Sequence, residues 1–147
     1  IAGEGGERPK LEGQIRALGL EGEVELLGRR SDVYSLYEEA AFLVLPSRFE
    51  GFGMVLVEAM SFGCPVVAFD CPCGPAEVVR DGVDGLLVPN GDVGALAGAM
   101  ERMMSDEALR DSLGRAGTDA RVRFGIDTVS AMWRAIFNEA LAPYGKR

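Results

Sequence analysis

Two glutamates carry the chemistry this sequence offers. Glu50 and Glu58 stand with seven residues between them in SRFEGFGMVLVEAM, and Glu58 is the only charged residue in the eighteen from Phe52 to Phe69. A carboxylate set into so apolar a stretch needs a partner, because an unpaired buried charge is strongly disfavoured. Two kinds of partner suit it. One is an arginine across the core; the other is a ligand that supplies hydrogen-bond donors, since an ionised carboxylate only accepts. Both stay open on the residues alone, and Glu50 is either a solvated loop acid or a group aimed into the same crevice from a shallower depth.

Between the two acids, Gly51-Phe52-Gly53 follows the run FLVLP and opens the run MVLVEAM. That places the turn at the carboxyl end of a strand and the start of a helix, where open α/β sheets bind ligands. Two glycines let backbone N–H groups approach a ligand closely, and the helix start adds partial positive charge. The turn reads as an anion site made of backbone. GEGGER at 3–8 is a weaker glycine pattern: Gly3 and Gly5 fit a dinucleotide fingerprint, but Arg8 stands where the third glycine belongs. A tight strand-to-helix turn is the better reading.

Much other chemistry drops out on composition. The 147 residues contain no histidine, which removes Ser-His-Asp, Cys-His and His–metal arrangements. Cys64, Cys71 and Cys73 are an odd number crowded into ten residues. They fit free thiols in a reducing compartment better than a disulfide framework, and no fourth ligand completes a zinc site. No metal and no cofactor are expected. A net charge of -8 without a basic, aromatic-laced cluster speaks against nucleic acid. The apolar run at 52–69 is broken by Gly63-Cys64-Pro65 and no secretory leader pattern is visible, so a soluble chain without a spanning helix is expected.

Short β-branched runs alternate with helical patterns. Val24–Leu27, Phe42–Leu45, Pro65–Phe69 and Leu86–Val88 read as buried strands. Helices are predicted over about 7–18, 32–40, 53–62, 75–80, 92–104, 106–123 and 127–141, with Asp92, Asp106 and Asp127 at or near N-caps. This rhythm predicts an α/β fold, a doubly wound parallel sheet with helices on both faces, within one domain. Ile1-Ala2-Gly3 has the look of a strand already under way before it enters a glycine turn. The expectation is a piece of something longer, with an uncovered face that favours self-association.

Several ordered motifs, PSRFEGFG, SFGCPVVAFD and PAEVVRDGVDGLLVP, together resemble the carboxyl-terminal, nucleotide-sugar-binding domain of retaining GT-B glycosyltransferases, the group 1 or family 4 set. The resemblance runs from the first residue to at least Val93, and FDCPCGP is most like bacterial enzymes that build surface polysaccharides from UDP-activated hexoses or hexosamines. It implies a Rossmann-like half of a GT-B architecture closed by carboxyl-terminal helices, with the amino-terminal acceptor domain outside residues 1–147.

By the same resemblance Glu58 holds the two ribose hydroxyls of the donor. Glu50, at the catalytic centre, contacts hydroxyls of the donor sugar. Gly51, Phe52, Gly53 and Met54 form the turn whose amides meet the diphosphate and sugar, and Gly28 and Arg29 border the base, with Arg29 stacked on uracil. Glu77 lies near the donor loop, although the N-terminal turn of a helix explains an acid there without a ligand.

Two carboxylates also suggest a glycosidase, but a carboxylate that grips ribose cannot reach the anomeric carbon. The implied partners are a UDP-sugar, the absent acceptor domain, and a glycan or lipid-linked acceptor, in the cytoplasm or at the inner face of the membrane. The family's Arg and Lys for the diphosphate lie upstream of Ile1, so the chain alone is expected to bind part of a donor and to be inactive. A stand-alone nucleotide-sugar-binding module, or half of a GT-B epimerase or phosphorylase, are the alternatives.

Overall fold

The computed structural model describes residues 1–142, which fall into two compact units, Ile1–Val33 and the chain from Tyr34 onward.

In the first unit, helix α1 (Arg8–Leu18) starts with a proline in its first turn and ends on Gly19, which takes the left-handed conformation at φ 66° and ψ 33°. Proline suits the first turn because its missing N–H has no helical acceptor there, and glycine alone adopts the left-handed cap without a Cβ clash. Arg8 holds the helix in place by donating to Glu12 at 2.9 Å and to the Leu26 carbonyl at 3.2 Å. The strand expected over Val24–Leu27 does not form. The segment makes a single parallel bridge, Ala2 with Gly28, flanked by bonds from the Leu27 amide to the Ile1 carbonyl (2.9 Å) and from the Gly3 amide to the Gly28 carbonyl (2.8 Å). Val24 is the one β-branched residue in the segment, so little local preference holds it extended beyond the bridge.

The second unit is the α/β body. Helix α2 (Val33–Glu39) leads into strand β1 (Leu43–Leu45), α3 (Met54–Ser61), β2 (Val66–Asp70), α4 (Pro75–Val78) and β3 (Gly85–Pro89). The strands form one parallel sheet in the order β1-β2-β3, with Val66 opposite Leu43 on one side and Gly85 on the other. Side chains alternate along β2. Val67 and Phe69 join Leu86, Val88, Leu96, Ala99, Met103 and Leu113 in one core. Val66 and Ala68, fully buried as well, must point to the opposite face, where α3 packs against β1 and β2. Both faces are covered, as the unbroken apolar runs predict. Each fully buried Val, Leu or Phe contributes roughly 1.5–3 kcal/mol by leaving water.

Helix α5 (Val93–Ser105) and helix α6 (Glu107–Gly117) complete the core. Their predicted caps form: Asp92 accepts from the Ala95 amide at 2.9 Å and Asp106 from the Leu109 amide at 2.8 Å. The single helix expected over 106–123 is interrupted. At Thr118 the side-chain hydroxyl donates back to the Arg115 carbonyl (2.8 Å), a local bond that competes with helical continuation. Asp119 then turns to Arg80 and Arg123, and a short helix α7 (Ala120–Arg123) follows. Asp127 lies near a cap rather than at it. The cap position of α8 (Ile126–Leu141) is Gly125, and Asp127 sits in the first turn, where its charge suits the helix dipole. Among the described residues no helix is long and apolar enough to cross a membrane.

Candidate functional site

The loops that follow β1, β2 and β3 emerge at the carboxyl edge of the sheet. Asn90, just after β3, donates to the carbonyl of Arg48 after β1 at 3.2 Å, so the first loop is tied to its neighbour before it reaches Glu50. Gly53 ends that loop as the cap of α3, with φ 83° and ψ 48°. A Cβ there would lie 3.2 Å from Leu56 Cδ1 in addition to the backbone strain, so glycine is required for the chain to swing into the helix. The Gly53 carbonyl accepts the Leu56 amide at 2.8 Å, while the Gly53 and Met54 amides ahead of it are beyond the reach of the helix's own carbonyls.

Phe52 is the side chain by which this turn is held. Its ring meets Phe124 edge to face, with centroids 5.6 Å apart. Its backbone lies against Gly74, where a Cβ would fall 2.5 Å from the Phe52 carbonyl oxygen. Gly74 belongs to the Cys71–Gly74 loop after β2, in which Cys73 has a positive φ of 65°. All three cysteines are free thiols. Burial pushes the Cys64 thiol up to about 11, partly offset by a backbone hydrogen bond at Leu43.

On α3, Leu56, Val57, Ala59 and Met60 are buried, whereas Glu58 is half-buried and Met54, one turn earlier, is 57% exposed. Glu58 therefore lies on the rim of the buried face rather than within it. Its Oε2 accepts a hydrogen bond from the Tyr37 hydroxyl at 3.0 Å. Tyr37 projects from α2, is only 5% exposed, and is wedged against Phe62 and Tyr34. Burial first, and the Glu58 carboxylate second, hold the phenol well above its ordinary pKa, so it stays a donor at any physiological pH. Among the described residues Glu58 makes no ion pair, and the core arginine that was one of its two possible partners is not there. A carboxylate has room for about four hydrogen bonds, and Tyr37 takes one.

The other predicted residues divide in two. Glu50, half-buried, stands with Gly51, Phe52, Gly53 and Met54 in the turn just ahead of Glu58 on α3. Arg29 belongs to the first unit, where it is exposed one residue after the bridged Gly28. Glu77 is an exposed acid in the first turn of α4. Tyr37 and Phe124 escaped the sequence reading because neither lies in a motif, and only the fold brings them to Glu58 and Phe52. The buried acid of the molecule also escaped it: Asp84, 0% exposed, is bound by Arg80 at 2.6 Å and Arg123 at 3.0 Å. The i, i+4 spacing of Arg80 and Asp84 was its one local signal.

Residues 1–120 match the model of the family described as glycosyl transferases group 1. The chain belongs to this family. Over 143 residues this group 1 chain is 41% identical to the exopolysaccharide phosphotransferase SCO2592 of Streptomyces coelicolor, a match covering 97% of the chain and 15% of that protein. It is 34% identical over 139 residues to a Campylobacter jejuni enzyme named GalNAc-alpha-(1->4)-GalNAc-alpha-(1->3)-diNAcBac-PP-undecaprenol alpha-1,4-N-acetyl-D-galactosaminyltransferase, covering 95% of the chain and 38% of that enzyme. The chain thus spans well under half of either relative, and the 15% share is too small to bring the phosphotransferase name with it. The structure is similar to that of Anabaena Alr3699/HepE in complex with UDP, at a TM-score of 0.86 and 31% identity, covering 94% of this chain and 40% of that one. The α/β fold with its parallel sheet is shared with glycosyltransferases of GT-B architecture.

Proposed function

We propose that this chain is the donor-binding domain of a glycosyltransferase, one that grips the nucleotide of a UDP-sugar. The observation that carries this reading is the half-buried Glu58 carboxylate, fixed by the Tyr37 phenol and joined to no cation among the described residues. A vicinal diol supplies two donors at the separation of carboxylate oxygens, and hydrogen bonds to an ionised acceptor are the strong ones. The diphosphate then lies toward the unpaired amides at Gly53 and Met54, where the helix start favours negative charge. Glu50, one turn of chain earlier, takes hydroxyls of the sugar. UDP in complex with Alr3699/HepE supports the choice of nucleotide.

The parent protein, in this proposal, transfers a hexose or hexosamine in cell-surface polysaccharide synthesis. The bond from the anomeric carbon to the diphosphate oxygen breaks, and the acceptor oxygen bonds to the same face, so configuration is retained. The acceptor proton passes to the leaving phosphate. The protein contributes orientation and stabilisation of the departing charge. The acceptor is a glycan or a lipid-linked sugar, reached from the cytoplasm at the inner face of the membrane and held by an amino-terminal domain. The undecaprenol in the name of the Campylobacter enzyme is in keeping with a lipid-linked acceptor.

Calorimetric titration of the chain with UDP, GDP and ADP tests the reading. UDP is expected to bind in preference to the others, each charge-assisted contact being worth roughly 1.5–3 kcal/mol. Equal binding of all three, or none of UDP, would overturn it.

A further inference from the structure

We infer that Phe124 is a positioning residue for the Glu50–Gly53 turn, holding Phe52 in place from a charge cluster built on the buried Asp84. The cluster is rigid for a specific reason. Every arm of the Arg123 guanidinium is engaged: Nε with Asp119 at 3.0 Å, Nη1 with the Val78 carbonyl at 2.9 Å, and Nη2 with Asp84 at 3.0 Å. Asp84 also accepts the amide and Nε of Arg80, at 2.7 Å and 2.6 Å, and Arg80 reaches Asp119 at 2.8 Å. Four charged side chains from two segments, 80–84 and 119–123, thereby lock together around a carboxylate with no solvent access, an arrangement that disfavours movement because displacing either arginine takes a partner from the buried Asp84.

Phe124 is the point where this rigidity reaches the turn. Its ring lies 5.1 Å beneath the Arg123 guanidinium carbon and presents itself to Phe52 at 77°, the edge-to-face geometry aromatic rings prefer. The residues flanking Phe52 are glycines. Gly51 would meet nothing within 4 Å even with a Cβ, so it adds no packing of its own and leaves the backbone free to follow Phe52. A displacement of the Phe52 ring therefore moves Glu50 on one side and the Gly53 and Met54 amides on the other. The effect on ligand binding rests on the donor-binding reading above; the mechanical coupling does not.

The test reads the two separately. In the full chain, Phe124→Leu is expected to lower the 15N order parameters of Gly51, Gly53 and Met54 while those of Val67 and Phe69 in β2 stay unchanged, and to weaken UDP about twofold to tenfold, the fold-change of one lost aromatic pair. Phe124→Tyr, which keeps the ring, restores both. An unchanged turn in a folded Phe124→Leu protein overturns the inference whatever UDP does. A loosened turn in a chain that never binds UDP leaves the coupling standing and removes the donor reading instead. Should Phe124→Leu fail to fold, Phe52→Leu deletes the same ring pair from the other side. It must loosen Gly51, Gly53 and Met54 in the same way, and unchanged order parameters there refute the coupling.

Discussion

The hydroxyl of Tyr37 lies 3.0 Å from Oε2 of Glu58, so the carboxylate proposed to bind ribose is oriented by a phenol that is itself almost wholly buried. A group held from behind presents its free lone pairs in a fixed direction, which spares the ligand the entropy of ordering it. Tyr37→Phe keeps the packing and deletes the bond. UDP affinity is expected to fall by about twofold to tenfold, with stability lower by about 1 kcal/mol, as read by calorimetry and by urea unfolding.

The same bond sets a pH dependence. Below about pH 10, the ordinary phenol value, Tyr37 is protonated folded and unfolded, and its contribution to stability is complete. Above that pH the unfolded chain releases the proton while the folded chain keeps it, because the folded pKa is raised. Stability therefore falls as pH rises, by about 1.4 kcal/mol per unit from this group. Cys64 does likewise from about pH 8.5 upward until its folded value of about 11 is reached. Unfolding midpoints measured between pH 8 and 11 should fall less steeply in Tyr37→Phe and in Cys64→Ala than in the parent chain.

The two acids of the turn and helix should separate by ligand. Glu58→Gln is expected to weaken UDP by about 1.5–3 kcal/mol, tenfold to more than a hundredfold, and to melt close to the parent because no cation is stranded. Glu50→Gln is expected to leave UDP binding intact and to reduce binding of the intact UDP-sugar. A Glu58→Gln chain that melts far earlier yet binds UDP unchanged would defeat the ribose assignment.

Asp84 behaves in the opposite way, because its partners are charged. Asp84→Asn removes the buried carboxylate bound by both Arg80 and Arg123 and leaves the half-exposed Asp119 as their remaining acid, and loss of up to about 3–5 kcal/mol is expected. Chemical denaturation of the variant beside Glu58→Gln measures the contrast within one protein.

Helix α8 carries a stripe of Met132, Trp133, Ile136 and Phe137, each more than half exposed, with Trp133 and Phe137 stacked one turn apart. Such a surface seeks cover. Self-association is expected in a sedimentation dilution series, accompanied by a blue shift of Trp133 emission at higher concentration; a monomer with unchanged emission across the series would count against it.

What the sequence disclosed is what depends on near neighbours. The parallel body was legible because Val66–Phe69 and Leu86–Val88 are unbroken apolar runs, and Asp92 and Asp106 were legible as caps because a cap acts on amides three residues away. Glu58 announced that it needed a partner. That the partner within the fold is Tyr37 was hidden, since twenty residues of intervening chain must fold before the two meet. The break at Thr118 was hidden in part for the same reason: beside its local partner Arg123, Asp119 meets Arg80, which only the tertiary structure supplies. Val24–Leu27 failed in the other direction, read as a strand with no ladder to join.

The contact between Phe52 and Phe124 also has a place in time. During synthesis the strand and helix that flank Glu50 leave the ribosome early, yet the ring that holds Phe52 is made only after β3, α5, α6 and α7 have emerged. Closing so long a loop yields nothing until its far end arrives. The Glu50–Gly53 turn thus gains its aromatic support only after β1, β2 and β3 have all left the ribosome, so a nascent chain has its sheet before that turn is held.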